Sequence, residues 1–392
     1  MIELSCKSCG KTCGEFFYRV EKTPVNSCLL VASRKEAVNF PSGALNLVFC
    51  AHCGFIWNAD FDANLIEYSD KYEETQGYSA TFSRFHQQLA RDLIERYGLH
   101  GKRILEIGCG KGEFLQLLCE VGNNTGVGFD PAYVEGRLTS SVSSSLTFIR
   151  DFYTEKYADY EADFVCCKMT LEHINEPWHF MQMIRRTIGH SSETIIFFQV
   201  PDVGKVIEEG AMEDFYYEHC SYFSHASLGR LFQRCGFAVQ SVESVYDQQY
   251  LIIEARPTEE TVDSLLFEPE LESLKQAVKN FRTLSEEYRK SWNERLADWK
   301  QKTRKVVIWG SGSKAIGFLT ALDNSCSIEY VVDINPNKAG TYTAGTGQEI
   351  VMPEFLVEYC PDDIIVMNAI YKAEIAEQLA LLGLKPNIHT LR

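Results

Sequence analysis

The stretch RILEIGCGKGEFL, Arg103 to Leu115, constrains this chain more than any other. An apolar strand runs into three alternating glycines, Gly108, Gly110 and Gly112, and a helix-like segment follows at once. Glycine lets a backbone turn sharply and lets a ligand approach with no Cβ in the way. The spacing G-x-G-x-G, with Glu106 two residues before the first glycine, differs from the dinucleotide fingerprint G-x-G-x-x-G. The next strand-like stretch ends in GFDP, where the Asp130 carboxylate can accept hydrogen bonds from two adjacent ribose hydroxyls.

Around this loop, strand-like and helix-like stretches alternate as far as about Ala255, the pattern of a parallel α/β sheet. RILEIGC, NTGVGFD, ADFVCCKM and ETIIFFQV read as its strands, and Phe82 to Tyr97 follows helical spacing. A polar segment from Pro257 to Pro269 leads into a long stripe: Leu271, Leu274, Val278, Phe281, Leu284, Tyr288, Trp292, Leu296 and Trp299. Such a stripe packs across the chain's own domains or pairs in a coiled-coil dimer, so a monomer or a homodimer is expected. KVVIWGSGSKAIG, SIEYVVDIN and DDIIVMNAI then read as a second Rossmann-like unit, in which Asp333 ends a strand and stands where a ribose would be met. The expected divisions are 1–66, 67–265, 266–302 and 303–392.

Thirty-eight basic against 54 acidic residues give a net charge of −16, with no Lys/Arg block, which disfavours nucleic acid as partner. No apolar run is long enough to span a bilayer, and the first residues lack the hydrophobic stretch of a signal peptide. A cytoplasmic protein without membrane association is expected.

Of 14 cysteines, Cys109, Cys119, Cys166 and Cys167 lie in apolar stretches as small hydrophobes. Cys6-x2-Cys9 and Cys50-x2-Cys53 form two knuckles, each followed by a glycine, Gly10 and Gly54. Two knuckles can close four thiolates around one zinc ion and leave no open position, which makes the metal structural. Free cysteines or disulfides are the alternative, and Cys13, Cys28 and His52 are substitute ligands.

Beyond the strand ETIIFFQV the chain reads EDFYYEHCSYF, Glu213 to Phe223. A histidine beside a carboxylate and phenols, just past a strand's carboxyl end, stands where such sheets collect ligands. His219 is the candidate base, oriented by Glu218. An aromatic surface loop is the competing reading.

The glycine loop, Glu106 and Asp130–Pro131 resemble the cofactor motifs of class I methyltransferases. The resemblance implies an S-adenosylmethionine site, with Asp151 and Phe152 at the adenine. LEHI, Leu171 to Ile174, matches a segment that borders the methyl donor, although Glu172 and His173 also suit a helix start. As a whole, the chain resembles the sugar C-methyltransferases of deoxysugar pathways: zinc knuckles, central domain, Y-x-E-H-x-S-Y and a C-terminal Rossmann-like domain. That resemblance places Tyr216, Glu218 and His219 around the reacting carbon of a nucleotide-linked 4-keto sugar, with Tyr217 an alternative to Tyr216. Further candidate acceptor contacts are Tyr222, Gln248, Gln249, Asn368 and Tyr371. One departure stands out. The family's H-G-G-S element is replaced here by Tyr246 to Leu251, YDQQYL, which points to a sister branch with a reshaped pocket. O- or N-methylation of a small natural-product intermediate is the first alternative. A non-catalytic scaffold that binds S-adenosylmethionine is the second.

Overall fold

The computed structural model describes residues 4–138, 145–189, 192–259 and 268–392. Short strands build the N-terminal part. β1 (Leu4–Ser5) pairs with β2 (Thr12–Cys13), while β3 (Glu15–Pro24), β4 (Ser42–Phe49) and β5 (Ile56–Asn58) pair antiparallel. The two cysteine pairs occupy the tight turns after β1 and after β4. Gly10 (φ 71°) and Gly54 (φ 81°) close these turns in the left-handed region that glycine tolerates.

Five parallel strands follow: β6 (Arg103–Ile107), β7 (Thr125–Phe129), β8 (Leu146–Ile149), β9 (Phe164–Lys168) and β10 (Ile195–Pro201). β11 (Ser221–Tyr222) leaves this sheet and pairs with β5, Ser221 opposite Trp57. A hairpin of β12 (Phe237–Val245) and β13 (Tyr250–Pro257) then returns, β13 antiparallel to β10. The resulting order is β12-β13-β10-β9-β6-β7-β8. β9 and β10 read as nearly unbroken apolar runs because helices cover both faces. Helices Ala80–Tyr97 and Glu113–Gly122 pack Leu89, Leu93, Phe114 and Leu118 on one face. Helices Pro177–Ile188 and His225–Arg234 pack Met181, Ile184, Leu228 and Phe232 on the other. The strand order reverses beside β6, so the loops after β6 and β9 part and leave a crevice, the usual ligand position in such sheets.

The helix Glu268–Gln301 uses its stripe within the chain. Leu271, Leu274, Val278 and Phe281 pack on the N-terminal sheet and the helix Val203–Glu209. Trp292, Leu296 and Trp299 pack on the C-terminal unit. Self-packing, not a coiled-coil seam, accounts for these residues. The last unit holds β14 (Val306–Trp309), β15 (Tyr330–Val332), β16 (Glu349–Val351), β17 (Asp363–Val366) and β18 (Asn387–Thr390), all parallel in the order β16-β15-β14-β17-β18. Among the described residues no helix is long and apolar enough to cross a membrane.

Candidate functional site

A cavity of about 990 Å³ opens at the crevice and runs from the β6 loop to the glycine turn after β14. Gly108 and Gly110 line it with φ of 69° and 55°. A Cβ on Gly108 would stand 2.0 Å from the Thr170 hydroxyl, and one on Gly110 2.7 Å from Glu74. Gly112 has a different task. It does not line the cavity; its φ of 85° starts the helix Glu113–Gly122, and a Cβ there would strike the Phe148 ring at 2.5 Å.

The Asp130 carboxylate is aimed by two amides, accepting from Gly110 N (2.9 Å) and Ala132 N (2.7 Å). Burial pushes its pKa up, and the two amides oppose that shift. Pro131 lines the same wall. Asp151 and Phe152 also line the cavity, but the Asp151 carboxylate is engaged by Lys156, the Tyr157 hydroxyl (2.7 Å) and the Phe152 amide (2.8 Å). What this segment offers a ligand is therefore the exposed Phe152 ring, set edge-on to Tyr68.

Pairing of β11 with β5 holds the preceding loop over the ends of β9 and β10. There the His219 ring lies between His173 (centroids 4.7 Å) and Tyr216 (4.8 Å), with Tyr222 at 6.2 Å. All four line the cavity. Burial, with His173 adding to it, drives the His219 pKa well below the ordinary histidine value, so the imidazole is neutral. Tyr216 donates to Asp214 (2.8 Å), which also pairs with Lys314 Nζ (2.9 Å). The Tyr222 hydroxyl serves the backbone, donating to Tyr216 O (2.9 Å) and accepting from Tyr216 N (3.2 Å).

Two expected members of this group lie outside the cavity. The Tyr217 ring packs over Gly43, and its hydroxyl accepts from Asp62 N (2.9 Å). Consecutive residues point apart, so only Tyr216 turns inward. The Glu218 carboxylate, 1% exposed, accepts from Ser27 N (3.0 Å), the Ser27 hydroxyl and the Tyr72 hydroxyl (2.9 Å). It ties the loop to the N-terminal part instead of orienting the His219 ring. Cys28, weighed as a metal ligand, lies beside Ser313 on the cavity wall.

Pattern reading understated LEHI and missed Tyr68 and Tyr72. The single helical turn Leu171–His173 is followed by extended backbone, so no longer helix is there to cap. His173 Nδ1 lies 3.1 Å from Glu218 O and 3.0 Å from the Tyr68 hydroxyl. Both Glu172 carboxylate oxygens are buried without a partner, and burial raises this pKa to about 8. Tyr68 and Tyr72 come from a segment with no periodicity; their only signal is phenols clustered just ahead of the helix Ala80–Tyr97.

Gln248, Gln249, Asn368 and Tyr371 line the far part of the cavity. Tyr246, Asp247 and Gln248 take consecutive left-handed conformations, φ 53° to 58°, in the β12–β13 turn. Gln249 and Asn368 bond each other side chain to side chain, and Tyr371 bonds Tyr246 (2.9 Å) and Gln76 (2.9 Å). These polar groups thus join two units of the chain across the cavity. Asp333 is likewise occupied, by Ser311 N (3.0 Å), Asn335 N (2.9 Å) and Lys338 (3.6 Å), which leaves its carboxylate little to offer a ribose.

The four N-terminal sulfurs meet away from this cavity. Cys6 and Cys53 Sγ, and Cys9 and Cys50 Sγ, are each 3.7 Å apart, all four buried and none in a disulfide. Sulfurs about 2.3 Å from a tetrahedral zinc ion would be roughly 3.8 Å apart, so this cluster fits the metal.

Residues 82–242 match a family model described as a methyltransferase domain, and residues 244–384 one described as a C-methyltransferase C-terminal domain. The first match spans most of the seven-stranded sheet. No curated protein sequence matches significantly. Similar solved structures include N,N-8-amino-8-demethyl-D-riboflavin dimethyltransferase from Streptomyces davawensis, at 19% identity over 45% of this chain and 56% of that one, TM-score 0.37. Another is magnesium protoporphyrin IX methyltransferase from Synechocystis PCC 6803 with bound SAH, at 15% identity over 45% and 84%, TM-score 0.36.

Proposed function

We propose that this chain, an S-adenosylmethionine-dependent methyltransferase of class I fold, methylates a carbon next to a carbonyl, the acceptor being a nucleotide-linked keto sugar or a related small metabolite. The observation that carries this reading is His219. Its imidazole is neutral, buried and turned into the cavity, with no hydrogen bond to either ring nitrogen among the described residues. A base kept free and unprotonated suits removal of a proton from carbon, which has no lone pair to offer a methyl group. The C-methyltransferase match over 244–384 supports carbon over oxygen or nitrogen as the acceptor atom.

The chain's own groups supply the rest. Gly108, Gly110, Asp130 and Phe152 would hold the cofactor, which when bound supplies an electrophilic methyl on a sulfonium. His219 takes the proton from the carbon, and the carbonyl draws the electron pair to its oxygen. Tyr216, beside His219 on the cavity wall, would stabilise the charge developing on that oxygen by turning its hydroxyl from Asp214, whereas the Tyr222 hydroxyl stays with the backbone. Glu218 acts through the loop it anchors, as a positioning residue. At the far end of the cavity the Gly310–Gly312 turn, which starts the helix Ser313–Ala321, suits an anionic carrier such as a nucleoside diphosphate, with Lys314 and Lys338, paired to Asp214 and Asp333, beside it. Zinc in the four-cysteine cluster would be structural.

The test uses methyl-labelled cofactor and a panel of nucleotide-linked 4-keto sugars in deuterated water. Methyl gain, or deuterium beside the ketone, is expected with the native chain and not with His219→Ala. Methyl transfer to oxygen or nitrogen of the acceptor, with no exchange at carbon, would overturn the reading.

A further inference from the structure

At the ends of neighbouring strands β6 and β9, Glu106 and Lys168 project onto the face that carries Ile104, Phe164 and Cys166. Both line the cavity, and both are more than nine-tenths buried. Charges this deep are costly unless compensated. Yet no ion pair joins them within 4.0 Å among the described residues, and Glu106 Oε2 has no hydrogen-bond partner at all. Lys168 is held instead by neutral groups. Its Nζ lies 2.7 Å from His86 Nε2 and 3.8 Å from the centre of the Phe114 ring. Burial keeps the His86 ring uncharged, so it accepts from the ammonium and neutralises nothing. Burial raises the Glu106 pKa to about 8 and lowers that of Lys168 to about 8, each charge opposing the other's shift, so the two stand side by side and face one space without closing an ion pair.

The group that satisfies both must carry both signs a few ångströms apart, which is the chemistry of an α-amino acid end. We propose that Lys168, held by His86, receives the carboxylate of S-adenosylmethionine, opposite the Glu106 that the cofactor motif already supplies. The inference rests on the cofactor reading above and extends it to a residue that no glycine-loop pattern contains. It also explains why a lysine ends β9, an otherwise apolar strand.

The experiment is calorimetric titration of the full-length protein with S-adenosylmethionine and with decarboxylated S-adenosylmethionine, which keeps the sulfonium and ammonium and lacks only the carboxylate. The native protein should bind the decarboxylated form roughly ten- to a hundredfold more weakly, the loss of one buried charge-assisted hydrogen bond. In Lys168→Met that gap should close, through weaker binding of S-adenosylmethionine and not of the other ligand. Equal affinity of the native protein for both would overturn the role of Lys168 and leave the cofactor reading standing; this comparison needs no variant to fold. A variant that keeps the full gap would overturn it too. Failure of the native protein to bind S-adenosylmethionine would remove the cofactor reading and this inference together.

Discussion

Glu172→Gln should make this protein more stable, and only above mildly acidic pH. Both carboxylate oxygens of Glu172 are buried without a partner, and burial, aided by the charge of Glu218, raises its pKa from 4.5 to about 8. A carboxyl whose folded pKa lies above its unfolded one binds a proton more tightly in the native state. Its contribution is therefore most favourable below 4.5 and is lost as pH rises toward 8. The cost accumulates at about 1.4 kcal/mol per pH unit across that window. That is about 3 kcal/mol at neutral pH, levelling off between about 4 and 5 kcal/mol above pH 8. Glutamine has the shape of the neutral acid and never ionises, so the variant escapes the penalty. Urea titrations of both proteins by tryptophan fluorescence at pH 5, 7 and 8.5 should give a gap of less than about 1 kcal/mol at the first, widening in favour of the variant at the other two. Parallel midpoints at all three values would mean that Glu172 titrates normally and has a partner in solution, and the reasoning would fail. A gain in stability accompanied by lost turnover would indicate that the glutamate is kept for its work beside His173 and His219.

The remaining predictions concern the site and its support. The acid limb of kcat/KM should fall below pH 6.5, because His219 must be neutral to act and its pKa is depressed; a limb above that value would contradict the burial argument. Tyr216→Phe should lower kcat by roughly tenfold or more, the scale of a lost transition-state donor. Tyr217→Phe should leave turnover nearly intact and cost about 1 kcal/mol of stability through the orphaned Asp62 amide. Elemental analysis should find one zinc per chain. Cys50→Ser should lose it and also disturb turnover, because β11 is anchored on β5 beside that turn.

Those features were legible in the sequence whose physics is local. The strand–glycine–helix unit, the long apolar stripe and the cysteine knuckles each depend on residues a few positions apart. Asp130 was readable for the same reason, since a strand end at fixed distance from a glycine turn has few places to go. Side-chain direction within EDFYYEHCSYF was not. It is set by β11 joining β5, a pairing between residues more than 160 positions apart, and that pairing turns Tyr216 inward and Tyr217 and Glu218 outward. Similarly, nothing near Gln249 announces that Asn368 will take up its amide.

The same long-range ties bear on how the parts work together. Glu218 bonds Ser27 and Tyr72, Glu374 caps the helix Ala80–Tyr97 through Ser79 (2.9 Å) and Thr81 N (3.0 Å), and Asn335 bonds Glu73 (2.9 Å). Each is a buried or half-buried carboxylate accepting from another unit of the chain. Such bonds are worth more than surface contacts because water competes poorly for them. Glu73 also binds Arg137 in a two-pronged pair, just beyond the Asp130–Pro131 wall. The Asp130 side of the cavity and the C-terminal unit therefore share one carboxylate. Glu73→Gln should weaken that link to both neighbours at once. If the C-terminal unit contributes to holding the acceptor, the variant should raise KM for the acceptor while changing cofactor affinity little. A change confined to cofactor affinity would instead limit Glu73 to shaping the loop after β7.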